Sequence, residues 1–279
     1  MTQTARRSCT STSVGQVTII ERRTPLLQHP TIDRLHELGL VGMYQSLHEL
    51  ANNPDASSLD HLEWLGILLE HEWTRRQHKR FELRARAAKL RHQASIEDID
   101  FHTPRALSRK LFLTLASCDW IRDNRHCLFT GPAGIGKSWL ACALGFKACR
   151  ENFSVLYQRL PRLFATLALA RGDGRYTKLM RQLARVRLLI IDDWGPEPML
   201  PEQQRDLLEI VEDRYSRGSL IITSQLPVDR WHELIGNPTL ADAILDRIIH
   251  NAYRFDLTGE SMRKQRGLKE PTRPKTDAE

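Results

Sequence analysis

Gly131-Pro-Ala-Gly-Ile-Gly-Lys-Ser138 is the stretch of this 279-residue chain whose residue types and spacing most directly suggest chemistry. It reads G-x-x-x-x-G-K-[ST], with a short apolar run before it, His126 to Thr130, and a helical pattern after it, Trp139 to Arg150. Glycines at these positions let backbone N–H groups turn toward an anion, and the helix N-terminus adds partial positive charge. Lys137 is placed to reach the β- and γ-phosphates of ATP, and the Ser138 hydroxyl to bind Mg2+. Gly131, Pro132, Ala133, Gly134, Ile135, Gly136 and Trp139 complete the expected nucleotide-binding set.

A second group lies about 55 residues further on. Arg187-Leu-Leu-Ile-Ile-Asp192-Asp193 is four apolar residues followed by two carboxylates, the pattern of a buried parallel strand with acids at its C-terminal end. Ligands of open α/β sheets bind at that edge. Asp192 is expected to hold Mg2+ through water, and Asp193 to orient or deprotonate an attacking water. Ser219-Leu-Ile-Ile-Thr-Ser-Gln225 is another apolar strand with a polar end. Ser224, with Thr223 close behind, is the candidate to sense the γ-phosphate; plain strand-end polarity is the alternative. Arg247 follows a helix, Leu240 to Leu245, and is placed either as a finger into a neighbouring subunit's nucleotide or in an ion pair with Asp242 or Asp246.

Elements must carry these groups to one edge. From Leu107 the chain alternates helix-like and strand-like segments, which predicts an α/β domain with a central parallel sheet flanked by helices over residues 96–264. Residues 30–95 read as a small all-helical N-terminal domain: one amphipathic helix from Thr31 to Leu50, then a long helix from Leu59 to His92 started by Ser57 and Asp60. The second half of the long helix carries Arg75, Arg76, Lys79, Arg80, Arg84, Arg86, Lys89 and Arg91 against Glu82 alone. Lacking acidic partners at i+4, such a face repels itself and suits phosphates, although a solvated face is the ordinary use of a charge run. Residues 1–29 read as a flexible arm and 265–279 as a disordered tail.

Composition fits this organisation. Hydrophobic residues make up 41 % and charged residues 27 %, the net charge is +7 and the pI about 9.3. Basicity favours an acidic partner. No stretch approaches the roughly 18 apolar residues of a membrane span, and Met1 to Gln16 lacks the core of a secretory signal, so the expected location is cytoplasmic. Five cysteines without a C-x-x-C pair predict free thiols and no zinc.

Taken together, Gly131–Ser138, Arg159-Leu-Pro-Arg162, Arg171-Gly-Asp-Gly-Arg-Tyr176, Leu188-Leu-Ile-Ile-Asp-Asp-Trp-Gly195, Ile222-Thr-Ser-Gln225, Leu245-Asp-Arg247 and Gly259-Glu-Ser-Met-Arg-Lys264 resemble the AAA+ ATPases of the DnaA/DnaC kind, and specifically the IstB-type transposition helpers of insertion sequences. The phosphate loop is generic; the Asp-Asp-Trp-Gly and Ser-Met-Arg-Lys stretches are narrower signals. The resemblance implies ATP hydrolysis coupled to double-stranded DNA binding, a homo-oligomer assembled with ATP, and a transposase partner. By position it implies Lys137, Ser138, Asp192 and Asp193 as nucleotide residues, Ser224 as sensor and Arg247 as finger. It places DNA contacts on Arg162, Arg171, Arg175, Lys178 and Arg181, beside the basic-helix residues Arg75, Arg76, Lys79, Arg80 and Arg84. It also implies the absence of a C-terminal lid domain. Two departures stand out: Trp139 is bulky, and Asp193 is one carbon shorter than the Glu common there, which implies slow hydrolysis until a neighbour completes the site. A DnaC-like helicase loader is the alternative function. A small-molecule kinase would need an acceptor pocket and a lid insertion after Asp193, and none is legible.

Overall fold

The computed structural model describes residues 30–195 and 197–262; the predicted arm and tail, with Arg263 and Lys264 of the Ser-Met-Arg-Lys stretch, lie outside the described residues. Two compact units divide between Gln77 and His78.

The first unit holds α1 (Pro30–Glu37), α2 (Val41–Asn52), a 3-10 turn (Pro54–Ser58) and the start of α3 (His61–Ala88). The single helix expected over Thr31–Leu50 is two, because Gly39 takes a left-handed φ of +69° and turns the chain. The first turn of α2 has no cap of its own side chain. Glu72 of α3 supplies one: its Oε2 accepts from Gly42 N at 2.6 Å and Met43 N at 3.3 Å. Gly42 is required there, since a Cβ would lie 2.7 Å from the Glu72 Cα. The start of α3 is fixed by Asp60, whose Oδ1 accepts from Leu62 N and Glu63 N while Glu63 returns to Asp60 N. This capping box sits at Asp60 and Glu63, not at the expected Ser57 and Asp60.

The second unit is built on a five-stranded parallel sheet in the order β2-β3-β4-β1-β5. The strands are β1 (His126–Thr130), β2 (Val155–Arg159), β3 (Leu188–Trp194), β4 (Ser219–Ser224) and β5 (Ala252–Asp256). Successive strand residues feed opposite faces. Phe129, Ile190 and Ile221 join one core with α6 (Lys137–Arg150), α4 (Arg109–Leu115) and α5 (Asp119–Arg122). Leu128, Leu189 and Ile222 join the other, with α7 (Leu160–Gly172), α8 (Tyr176–Arg185), α9 (Pro201–Arg214), α10 (Trp231–Ile235) and α11 (Pro238–Ile249). Both faces are covered, which is why these strands are continuous apolar runs.

The unit boundary lies inside α3, not at the composition change near residue 95. Ala88, Ala94 and Ile99 are buried in the first of these cores, with Phe81 and Leu90 packed against it. Phe81 meets Phe146 edge-on at 5.3 Å, and Arg84 Nε donates to Cys149 O at 3.0 Å. The apolar residues between the arginines are what bind this half of α3 to α6. Lys89, at φ +51°, ends the helix sooner than the expected His92. Among the described residues no helix is long and apolar enough to cross a membrane.

Candidate nucleotide site and basic faces

The phosphate loop leaves β1 and enters α6 at Lys137. Gly131, Gly134 and Gly136 have φ of +135°, +84° and +99°. Each is also crowded: a Cβ would fall 2.1 Å from Leu257 O at Gly131, 2.2 Å from Ser261 Oγ at Gly134, and 2.9 Å from Arg105 Nη1 at Gly136. Met262 N donates to Gly134 O at 3.1 Å, and Arg105, almost fully buried, donates to Ile135 O at 3.2 Å. The loop is therefore held from behind by residues near both ends of the second unit. Lys137 Nζ folds into the loop, donating to Gly131 O at 2.6 Å and Pro132 O at 2.8 Å. Ile135 is wholly buried, so its side chain anchors the loop in the core.

The two carboxylates reach the same pocket through a register shift. Ile191 pairs with Ile222 and Trp194 with Ser224, so Asp192 and Asp193 together oppose Thr223. Regular pleating would send neighbours to opposite faces. Here Asp193 adopts φ +64°, a conformation Asp tolerates better than most residues, and the extra residue turns both acids inward. Asp192 is buried and heavily bonded. Its Oδ1 accepts from Ser138 Oγ at 2.6 Å and Thr223 Oγ1 at 2.5 Å, and its Oδ2 from the Tyr157 hydroxyl. Burial, then the Asp192 carboxylate, push the Tyr157 phenol well above its ordinary range and keep it a donor. Arg159, at the end of β2, donates to Asp193 Oδ2 at 2.5 Å. Arg91 Nη1 stands 3.8 Å from Asp192 Oδ2.

Ser224 is not the polar group at this carboxylate. Its hydroxyl donates to Trp194 O at 2.9 Å and accepts from Leu226 N, which closes the end of β4. Thr223 holds Asp192 instead. Arg91 reads in sequence as part of the basic face of the long helix rather than of this pocket, and Tyr157 and Arg159 have no role assigned there; the signal for Arg159 was its position at a strand end, which puts it in register with Asp192.

Two cavities meet along the loop and share Gly134, Lys137 and Ser138. One, about 200 Å3, is polar and holds Asp192, Asp193, Arg91, Arg159 and Thr223. The other, about 190 Å3, is lined by Trp139, His92, Arg105 and Met262 and offers apolar surface for a base. Trp139 thus forms a cavity wall. The oxygen donors Ser138 and Asp192, already 2.6 Å apart, are the hard ligands Mg2+ takes, so the residues present fit that ion.

Arg247 lies beside the start of β1, in a polar hollow with His126 and Tyr215, at the sheet end remote from the loop. Its partner is Glu212, at 3.2 Å, rather than Asp242 or Asp246; it also donates to Ala243 O at 2.7 Å. The expected DNA residues divide into tied and free. Arg171 is bound by both guanidinium nitrogens to the buried Asp206 and stacks 4.4 Å from the Tyr176 ring, fastening α7 to α9. Arg76 neutralises buried Glu72 at 2.6 Å, and Arg84 is spent on Cys149 O. Arg175 pairs with neighbouring Asp173 and stays exposed. Arg162, Lys178 and Arg181 are exposed, as are Lys79 and Arg80, while Arg75 is half-buried; none has an ion-pair partner among the described residues. On α8, Met180 and Leu183 face the core, leaving Lys178, Arg181 and the unassigned Arg185 outward at i, i+3 and i+7.

A phosphate loop, a lysine folded into it, and a Ser–Asp pair at the C-terminal edge of a parallel sheet in this strand order define a P-loop protein of AAA+ architecture. DnaI, in its crystal structure, shares the fold: TM-score 0.53 at 21 % identity, covering 60 % of this chain and 92 % of that one. Residues 33–270 match the family of IstB-like ATP binding proteins, and the chain belongs to that family. It is 58 % identical over 244 residues to "Putative insertion sequence ATP-binding protein y4pL" of Sinorhizobium fredii, covering 88 % of this chain and all of that one. A second protein of that organism, "Putative insertion sequence ATP-binding protein y4uH", is 51 % identical over 86 % of this chain and 97 % of its own length.

Proposed function

We propose that this protein is an ATP-hydrolysing regulator of DNA transposition that assembles on double-stranded DNA with ATP and recruits a transposase. The observation that carries the reading is the bulged end of β3, which brings Asp192 and Asp193 into one pocket with Lys137 and Ser138 in a chain of the IstB-like family.

In this reading Lys137 leaves its loop carbonyls for the phosphates of ATP, and Ser138 and Asp192 hold Mg2+. The bound cation supplies charge neutralisation at the β- and γ-phosphates. Tyr157 and Thr223 fix the Asp192 carboxylate in the required orientation. Asp193 orients a water and takes its proton as the oxygen attacks the γ-phosphorus; the bond to the β–γ bridging oxygen breaks and ADP leaves. Arg247 of a neighbouring protomer gives up Glu212 and neutralises charge at the site. Arg162, Arg175, Lys178 and Arg181 meet the DNA backbone, so affinity falls steeply with salt and sequence preference is slight. Insertion-sequence relatives along nearly the whole chain support this over a helicase loader.

The test is fluorescence anisotropy with duplex DNA in ATP, ADP or no nucleotide, each at two salt concentrations. Cooperative, salt-sensitive binding that needs ATP is expected. Equal affinity in all three states overturns nucleotide-driven assembly.

A further inference from the structure

The phosphate pocket contains two arginines of its own chain, held in different ways. Arg159 is locked to Asp193 at 2.5 Å. Arg91 stands 3.8 Å from Asp192, within ion-pair reach but beyond a hydrogen bond, with 43 % of its side chain exposed. Its backbone is fixed. Ala88 and Ala94 on either side are buried, and Leu90 packs against α6 where Gly145 leaves room for it. Arg91 thus carries its guanidinium on a rigid base, three residues beyond the end of α3, held by the Tyr157 hydroxyl and the longer contact to Asp192 rather than by a close bond to an acid.

We propose that Arg91 contacts the third phosphate of ATP in cis and makes the pocket prefer ATP to ADP. The inference rests on the nucleotide reading above and adds a residue to it. The diphosphate belongs in the loop cradle beside Gly134 and Lys137. A third phosphate must then lie toward Asp193, which has to reach the attacking water. That side carries two carboxylates, which repel it. Arg159 is committed to Asp193, and Ser138 and Thr223 to Asp192. Among the described residues on that side, Arg91 is a cation that can turn from a carboxylate to a phosphate by giving up the neutral Tyr157 hydroxyl rather than a close hydrogen bond to an acid. Once Asp192 holds Mg2+, its negative charge is shared and its pull on Arg91 weakens. The adjacent His92 lines the base-side cavity, so this dipeptide touches both halves of the nucleotide site.

The experiment titrates the full chain, with Mg2+, with fluorescent ATP and ADP analogues and compares Arg91→Ala, Arg91→Lys and, as a control remote from the site, Arg122→Ala. Arg91→Ala is expected to weaken ATP binding about tenfold and ADP binding less than about twofold, with Arg91→Lys in between. Equal weakening for both nucleotides means that Arg91 only supports the pocket, and overturns the inference; so does an unchanged ATP preference. A wild-type chain that binds neither nucleotide overturns the nucleotide reading itself and this inference with it.

Discussion

In the proposed function Asp193 carries two demands at once, a carboxylate for water and a left-handed backbone for the bulge. Asn meets the second without the first, since it also tolerates positive φ. Asp193→Asn is therefore expected to keep nucleotide binding and assembly while phosphate release falls at least about a hundredfold, roughly the worth of a positioned general base. A fully active Asp193→Asn protein removes the base from that residue. Arg159 neutralises the same carboxylate. Arg159→Ala should raise phosphate release in the absence of DNA, and a drop instead would place Arg159 among the groups that aid the reaction. The two acids were legible in sequence because an apolar run ending in Asp-Asp after a phosphate loop has few other uses. Their common orientation was not, because a bulge depends on which residues β4 sets opposite. The same register sets Thr223 rather than Ser224 against Asp192, and an unaligned strand end leaves both open.

Helices repeat the lesson one scale up. The outward residues of α8 follow from its spacing alone, Met180 and Leu183 in, Lys178 and Arg181 out. Replacing both outward residues by Ala should reduce the salt slope of DNA binding by about two, one per phosphate contact. An unchanged slope moves the DNA contacts off this helix. Arg171 looked the same in sequence, yet its charge is spent on Asp206 from α9, far along the chain. Arg84 differs from Arg80 for a similar reason, since only a tertiary partner, the Cys149 carbonyl, tells its tether from a free charge; Arg76 is tied one turn back on its own helix, to Glu72, at a spacing the sequence already offered. The change from one helix to two at Gly39 turned on a single φ, which hydrophobic spacing does not report.

At the scale of the whole molecule, Arg247 sits at the sheet end away from its own phosphate loop, so any nucleotide it serves belongs to another copy. Arg247→Ala should bind ATP normally yet sediment as the unassembled chain with ATP and DNA; normal assembly would leave Arg247 as a partner of Glu212 only. Folding stability has its own titrating group. His126, 4 % exposed, accepts from Leu220 N through Nδ1, and burial, then the charge of Arg214, lower its pKa to about 4. An unfolded chain regains about 6.5, so between those values the unfolded state binds the extra proton. This contribution is intact above pH 6.5 and is lost as pH falls toward 4, by up to about 3 kcal/mol. Urea denaturation across that range should show the decline, and His126→Gln should flatten it. The α/β order and the sheet's contents were readable from apolar runs. The division inside α3 was not, because composition changes near residue 95 while packing changes at His78.

The crossing of residues 257–262 over the phosphate loop offers a handle for observing the protein at work. Ser261 lies against Gly134 of the loop and is half-buried. Burial pushes the thiols of Cys118, Cys142 and Cys149 up to about 11 and that of Cys127 further, so they react sluggishly. In a chain whose Cys9 is replaced by Ser, Ser261→Cys becomes the thiol a maleimide dye finds first. An environment-sensitive dye there is an optical reporter of loop occupancy, readable in real time with unmodified ATP.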